Sequence, residues 1–337
     1  MKNIHRPFYF SNHKEEVFFV IEELRQEEPV MIDTIVSHLK NPKVQAAVKV
    51  KAEVVRLSQE FLRREGFVEL LPTILSPITD PLNHDVFEAV IDYAGTQYRL
   101  TQSMIFHKQI ALHAFDKIFI TSPNVRLETP DKAGMGKYLF EFVQIDLEMK
   151  EAKREDVMDL IERLMVFVFK GVQEKCAEEL KVCGVEKLKI PSTPFPKVRY
   201  LEAKEKYGPD FEKILSRKTE EPFWLVDIAI EDREFYDKLS PDGKTLLDMD
   251  LILPYGYGEV LSGGEREYEY ERIVERMRFK NSDFKSMKWY LDLVKRYGLY
   301  PSAGCGFGVE RLTRYICRLE HVKYTRLFPK VPGVISI

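Results

Sequence analysis

The sequence has no apolar run approaching the roughly 20 residues that a membrane-spanning helix needs, and its first residues, MKNIHRPFYFSNHKEE, hold no apolar signal core. These two absences lead us to expect a cytoplasmic protein with no membrane partner. Cysteine is scarce: Cys176, Cys183, Cys305 and Cys317 are all there are, and none forms a CxxC pair. Buried free thiols are therefore expected, rather than zinc ligands or disulfides. No GxxxxGK[ST] stretch is present, which excludes a P-loop phosphate site. Repeats and low-complexity segments are also lacking. Lys and Arg number 51 against 54 Asp and Glu, a net charge of −3, so the chain is not built chiefly to grip phosphate backbones.

What is present is ample for a large core. The 337 residues are 45% hydrophobic and allow one or two domains. Residues 14–40 read as two short helices broken near Pro29. The stretch NPKVQAAVKVKAEVVRLSQEFLRREGF reads as a long helix, with Asn41 as cap, Pro42 in the first turn and Gly66 at the end. Its apolar positions, among them Val44, Ala47, Val54, Leu57 and Leu62, fit one broad face. Strands are expected at FVELLPTIL, QYRLT, KIFITSPNVRLE, LFEFVQIDLEMK, PFWLVDIA, LDMDLILPYGYGEVLSGG and PSAGCGFGV. Helices are expected over 154–181, EREYEYERIVERMRF and FKSMKWYLDLVKRYG. Such an order predicts an α+β protein with a mostly antiparallel sheet flanked by helices.

Several strands carry chemistry. In GCGFGVERL, Gly304, Gly306 and Gly308 leave one strand face bare, and Arg311 follows at once. Bare strand is costly unless something flat lies on it or another element packs closely. In NVRLE, Arg126 and Glu128 share a face. In EFVQIDLE, Phe142, Gln144 and Asp146 share another. In GYGEVLSGGERE, Glu259 precedes Ser262, a Gly-Gly pair and Arg266. Arginines for phosphate, carboxylates for Mg²⁺ and a phenylalanine for a base suit a nucleoside triphosphate.

These segments resemble the class II aminoacyl-tRNA synthetases of the aspartate/asparagine branch. FLRREGFVELLPTIL, ending at Pro72, is similar to the first class motif, a dimer-forming helix and strand. NVRLETPDKAGMGKYLFEFVQIDLE is similar to the second and GFGVERL to the third. The resemblance covers residues 42–337, and EFYDKLSPDGKTLLDMDLILP and MKWYLDLVKRYGLYPSAGCGFGVERL have an asparaginyl character. It implies a catalytic domain over 42–337, preceded by a short helical extension over 1–41 with no anticodon-binding barrel. It further implies a homodimer through the first motif, and ATP with Mg²⁺ as cofactors. By this resemblance Arg126 holds the α-phosphate, Arg311 the β/γ end, Phe142 stacks on adenine above a glycine floor that includes Gly308, and Glu128 reads the adenine amino group. Glu259, with Asp250 or Ser262 beside it, takes the metal. Ser103, Gln144 and Asp146 surround the substrate ammonium.

Departures from the family pattern lead further. Lys108 stands where aspartate-binding relatives carry lysine and asparagine-charging relatives carry glutamate. Ser302 replaces a usual histidine. Tyr138 stands where the second motif's loop has Arg or His, with Lys137 beside it, and Asp80 or Asp85 stands for an acidic residue after the first motif. An asparaginyl scaffold with an aspartyl pocket and few residues before Asn41 resembles the asparagine synthetases related to asparaginyl-tRNA synthetase. The expectation is an aspartate–ammonia ligase that forms a β-aspartyl adenylate and releases AMP and pyrophosphate. Lys108 and Arg266 would clamp the α-carboxylate, the partners would be aspartate, ammonia and ATP, and tRNA would not be one. The alternatives are a synthetase-like enzyme acting on tRNA and a non-catalytic paralogue serving as a binding subunit.

Overall fold

The structure, a computed structural model, describes residues 28–334 and 336–337. The first expected short helix and most of the 1–41 extension lie outside that range. The second helix is α1 (Glu28–Lys40). Pro29 occupies its first turn, where a missing N–H costs nothing, so the proline begins this helix. His38 ties α1 to the C-terminal segment, with Nε2 at 2.9 Å from the Arg326 carbonyl. The long helix is α2 (Pro42–Arg64), and the Asn41 side chain accepts from the Lys43 N–H at 2.9 Å. Beyond it Gly66, at φ +84°, makes the left-handed turn that ends the helix.

After β1 (Val68–Leu70) come a short β2 (Leu75–Ser76), the hairpin β3 (Val90–Tyr93) and β4 (Thr96–Leu100), and helix α3 (Ile105–Ala111). The long central strands β5 (Lys117–Val125) and β6 (Glu141–Lys150) precede α4 (Arg154–Lys175) and α5 (Ala177–Val182). Then follow β7 (Lys197–Arg199), α6 (Tyr200–Tyr207), α7 (Phe211–Lys218), β8 (Phe223–Val226), β9 (Asp248–Leu253) and β10 (Gly258–Glu265). Helices α8 (Tyr270–Phe279) and α9 (Lys288–Tyr297), strand β11 (Ser302–Gly308) and helix α10 (Val309–Ile316) come next, followed by a 3-10 turn at Val322–Thr325. No described helix is long and apolar enough to cross a membrane.

Eight strands form one sheet in the order β1-β5-β6-β11-β10-β9-β8-β7. The β1/β5 and β7/β8 pairs are parallel and the others antiparallel. Alternation divides the two faces. Ile145, Leu147, Ala303, Cys305, Phe307, Met249 and Leu251 point into the core shared with α2 and α4. The other face carries the polar residues. Register places Gly304 opposite Glu148, Gly306 opposite Asp146 and Gly308 opposite Gln144.

A second apolar cluster fixes one rim of that polar face. Phe106 of α3, Phe235 and Tyr290 of α9 are fully buried, and the Phe106 and Tyr290 rings lie 4.6 Å apart. Phe235 is the apolar anchor of the loop DREFYDK, whose charged residues flank it on both sides.

Candidate active site

The polar face opens into a cavity of about 520 Å³. Every residue expected for the site lines it except Asp250. Its floor is a buried charge network. Lys108 is 2% exposed, and its Nζ reaches Asp146 Oδ1 at 3.3 Å, Glu148 Oε2 at 3.5 Å and the Cys305 carbonyl at 3.1 Å. Arg266 donates to Glu148 Oε1 at 3.1 Å, Asp237 Oδ1 at 2.9 Å and the Gly304 carbonyl at 2.9 Å. Ser302 donates to Glu148 at 2.9 Å. Two cations thus meet three carboxylates within the protein itself. Asp237 is pushed up by burial against the pull of Arg266 and Arg233, and Asp146 by burial against the pull of Lys108. The expectation that Lys108 and Arg266 stand ready to clamp a substrate carboxylate is corrected here, because both already hold partners. The residues expected around an ammonium are partly engaged too. Ser103 donates its hydroxyl to Asp80 at 2.9 Å, and the Gln144 carbonyl oxygen accepts from Asn124 at 2.7 Å. Asp146 Oδ2 keeps no partner.

The glycines prove to serve this network. A Cβ at Gly304 would lie 2.1 Å from Glu148 Oε2, and one at Gly306 2.6 Å from Asp146 Oδ1. The bare face over Gly304 is filled by the neighbouring strand's own carboxylate, so only Gly306 and Gly308 remain as cavity floor. That is the close-packing explanation at one end and the ligand-floor explanation at the other.

Around the rest of the cavity stand the residues expected for a nucleotide. The Arg126 guanidinium lies over the Phe142 ring, 5.2 Å from its centroid, and its Nε donates to the Gln102 carbonyl at 3.0 Å. Glu128 is held by Lys132 and lies 3.1 Å from His84 Nε2; burial pushes its carboxyl up, but the contacts with His84 and Lys132 outweigh it and leave it below the usual range. Arg311 donates to the Glu259 carbonyl at 3.0 Å and carboxylate at 3.2 Å, with the Tyr138 ring 5.7 Å away. Glu259 likewise sits below its ordinary value, since Arg311, Arg233 and Lys137 overcome its burial.

Among the described residues no group of three or more His, Cys, Asp or Glu is arranged to hold a metal alone. Mg²⁺ bound with a nucleotide needs only one or two carboxylates, because phosphates and water complete its shell. An ionised Glu259 with the Ser262 hydroxyl on the same wall fits that demand. Asp250 sits behind the wall, bound by Arg233, and burial lifts its carboxyl to about 6. Its expected role as a direct metal ligand is therefore not supported by its position. Sequence reasoning also passed over Glu212, Arg233, Glu234, Tyr236 and Asp237, all of which line the cavity. For all but Glu212 the signal available was DREFYDK, in which charged residues flank an aromatic pair.

A large antiparallel-rich sheet with a polar, arginine-lined face, backed by a helix-packed core, has the class II aminoacyl-tRNA synthetase fold. The chain belongs to the tRNA synthetases class II (D, K and N), whose family model matches residues 27–332. It is 30% identical over 335 residues to the asparagine–tRNA ligase of Pyrococcus abyssi, covering 94% of this chain and 76% of that protein. It is also 30% identical to the asparagine–tRNA ligase of Thermococcus kodakarensis, over 94% of this chain and 76% of that one. The crystal structure of asparaginyl-tRNA synthetase from Pyrococcus horikoshii complexed with asparaginyl-adenylate superposes with a TM-score of 0.81 at 27% identity, over 91% of this chain and 73% of that chain. These relatives overturn the expectation of an aspartate–ammonia ligase that works without tRNA: the likeness runs through most of the chain to enzymes named for joining asparagine to tRNA.

Proposed function

We propose that this chain activates an amino acid of the asparagine type with ATP and passes the acyl group to tRNA. The substrate's α-carboxylate oxygen attacks the α-phosphorus, an acyl–phosphate bond forms, and pyrophosphate leaves; a terminal tRNA hydroxyl then displaces AMP. Arg126 holds the α-phosphate and the attacking carboxylate and so stabilises charge that develops between them. Arg311 holds the far end of the triphosphate. Phe142 offers its ring to the base and Glu128 accepts from the adenine amino group. Glu259, with Ser262 beside it, would hold Mg²⁺, which would supply positive charge against the triphosphate.

One observation carries this reading: Arg126, Phe142, Glu259 and Arg311 converge on a single cavity in a chain related over 94% of its length to asparagine–tRNA ligases. The floor favours asparagine over aspartate. Its two cations already face three carboxylates, so an added side-chain carboxylate meets no unmatched positive charge, whereas a neutral carboxamide carries no such cost. The test is ATP–pyrophosphate exchange with asparagine and with aspartate, followed by charging of tRNA. Asparagine-dependent exchange and charging are expected; exchange without any transfer to tRNA would refute the second step.

The same reading extends to a homodimer. Strand β1 is an edge of the main sheet, and Leu71, Ile74 and Leu75 beyond it are exposed. An apolar edge of this kind is suited to pairing with a second copy.

A further inference from the structure

Cys183 and Cys317 end two helices that both pack on α2. Cys183 closes α5 and Cys317 closes α10, and each stands just before a left-handed residue, Gly184 at φ +83° and Arg318 at φ +50°. The Cys183 N–H donates to the Glu179 carbonyl at 3.1 Å and the Cys317 N–H to the Thr313 carbonyl at 2.9 Å, so helix backbone holds both residues in place. Their side chains lie in the main apolar core, and there the thiols meet: the Cys317 S–H donates to the Cys183 sulfur.

The two thiols differ in access and in readiness. Cys183 is 6% exposed, at the margin of the core near the exposed Lys43, whereas Cys317 is wholly buried. The hydrogen bond from Cys317, aided by the charge of Lys43, outweighs burial and brings the Cys183 thiol below its ordinary value. Burial pushes Cys176 up to about 11 and Cys305 up to about 12, so neither competes as a nucleophile. A thiol inclined to ionise, with a second sulfur already in contact, is oxidised to a disulfide rather than to a lasting adduct.

We propose that Cys183 and Cys317 form a reversible disulfide that staples the end of α10 to α5 when the chain meets a small-molecule disulfide. The Cys183 thiolate, its proton given to water, attacks one sulfur of that molecule, and a mixed disulfide forms as a thiolate leaves. That thiolate takes the Cys317 proton. The Cys317 sulfur then attacks the Cys183 sulfur, and the second small thiolate leaves and is protonated from water. Two protein thiols are oxidised and one small disulfide is reduced to two thiols. The bond closes a long loop of chain and so restricts the unfolded state. It also anchors the helix that carries Arg311 into the cavity. This inference is independent of the amino-acid assignment above.

The test incubates the full chain with oxidised glutathione, alkylates the remaining thiols and maps peptides by mass without reduction. A Cys183–Cys317 linked peptide is expected, together with a higher melting temperature than that of the reduced chain; a reductant should reverse both. Cys317→Ser should instead retain glutathione on Cys183, because the sulfur that displaces it is gone. Cys183→Ala should leave Cys317 unmodified behind its cover. The wild-type map decides even where a variant folds poorly. Unlinked thiols, a persistent glutathione adduct on wild-type Cys183, or a link that involves Cys176 would overturn the proposal. A correct link with no rise in melting temperature would overturn the staple.

Discussion

Lys108 spends its ammonium on Asp146, Glu148 and the backbone, and that changes what its loss should do. Lys108→Met leaves carboxylates buried without their cation, which costs about 3–5 kcal/mol of stability. Denaturant unfolding is the measurement, and an unchanged midpoint would show that the network repairs itself. Arg311 differs: it is half-buried and its partner Glu259 is open to the cavity. Arg311→Ala should lower kcat/KM for ATP by about 100-fold while stability moves by no more than about 1 kcal/mol, read from pyrophosphate exchange and a melt. Glu234 carries a pH signature. Its folded value near 7 lies above the ordinary 4.5, so the folded state binds the extra proton. The stability it contributes is whole below about 4.5 and is lost as pH rises through about 7. Glu234→Gln should flatten that decline, which amounts to on the order of 3 kcal/mol; an identical slope in both proteins would show that Glu234 does not titrate there. Residue types were readable in the sequence here, but pairings were not. Lys108 looked like a free cation because nothing along the chain reveals that residues 146 and 148 close around it.

Between β6 and β11 the register converts residue identity into function. Each alternate glycine of β11 faces a polar residue of β6, so the sheet interior accommodates carboxylates where side chains would otherwise collide. The consequence grades along the strand. Gly304→Ala must displace the buried Glu148 carboxylate and should cost on the order of 3 kcal/mol. At Gly308 an added Cβ meets only the flexible Arg311 side chain at 3.6 Å. Gly308→Ala should therefore fold as well as wild type, and thermal melts of the two variants side by side separate the cases. The period-two pattern of GCGFG was legible as a strand with one bare face. Whether that face is empty depends on the neighbour's register, which pairing across 154 positions of sequence sets, as in the Ser302–Glu148 contact.

At the scale of the molecule, a mostly antiparallel sheet with apolar residues on one face and charges on the other leaves its β1 edge without a partner strand among the described residues. Leu71 is 91% exposed there. If the proposed homodimer forms through this edge, Leu71→Asp leaves the fold unchanged and weakens self-association by about 3–6 kcal/mol, since a two-fold contact uses the residue twice. Sedimentation against concentration reads this directly, and equal association of both proteins would remove this edge from the proposed homodimer.

The sequence by itself determined the α+β class, the long capped helix after Asn41, the strands that carry the site and about half of the residues around the cavity. Those properties follow from local rules: periodicity, capping and the spacing of charges on a strand. It misjudged the substrate pocket, since the strength of a charge depends on what surrounds it. Only the tertiary structure showed that Lys108 and Arg266 are already matched, that Asp250 is taken by Arg233, and that Glu234 is buried beside the like charge of Asp80. In a cavity shielded from water, a carboxylate or ammonium is defined by its partners, and those partners lie on different strands, helices and loops that only the folded chain brings together.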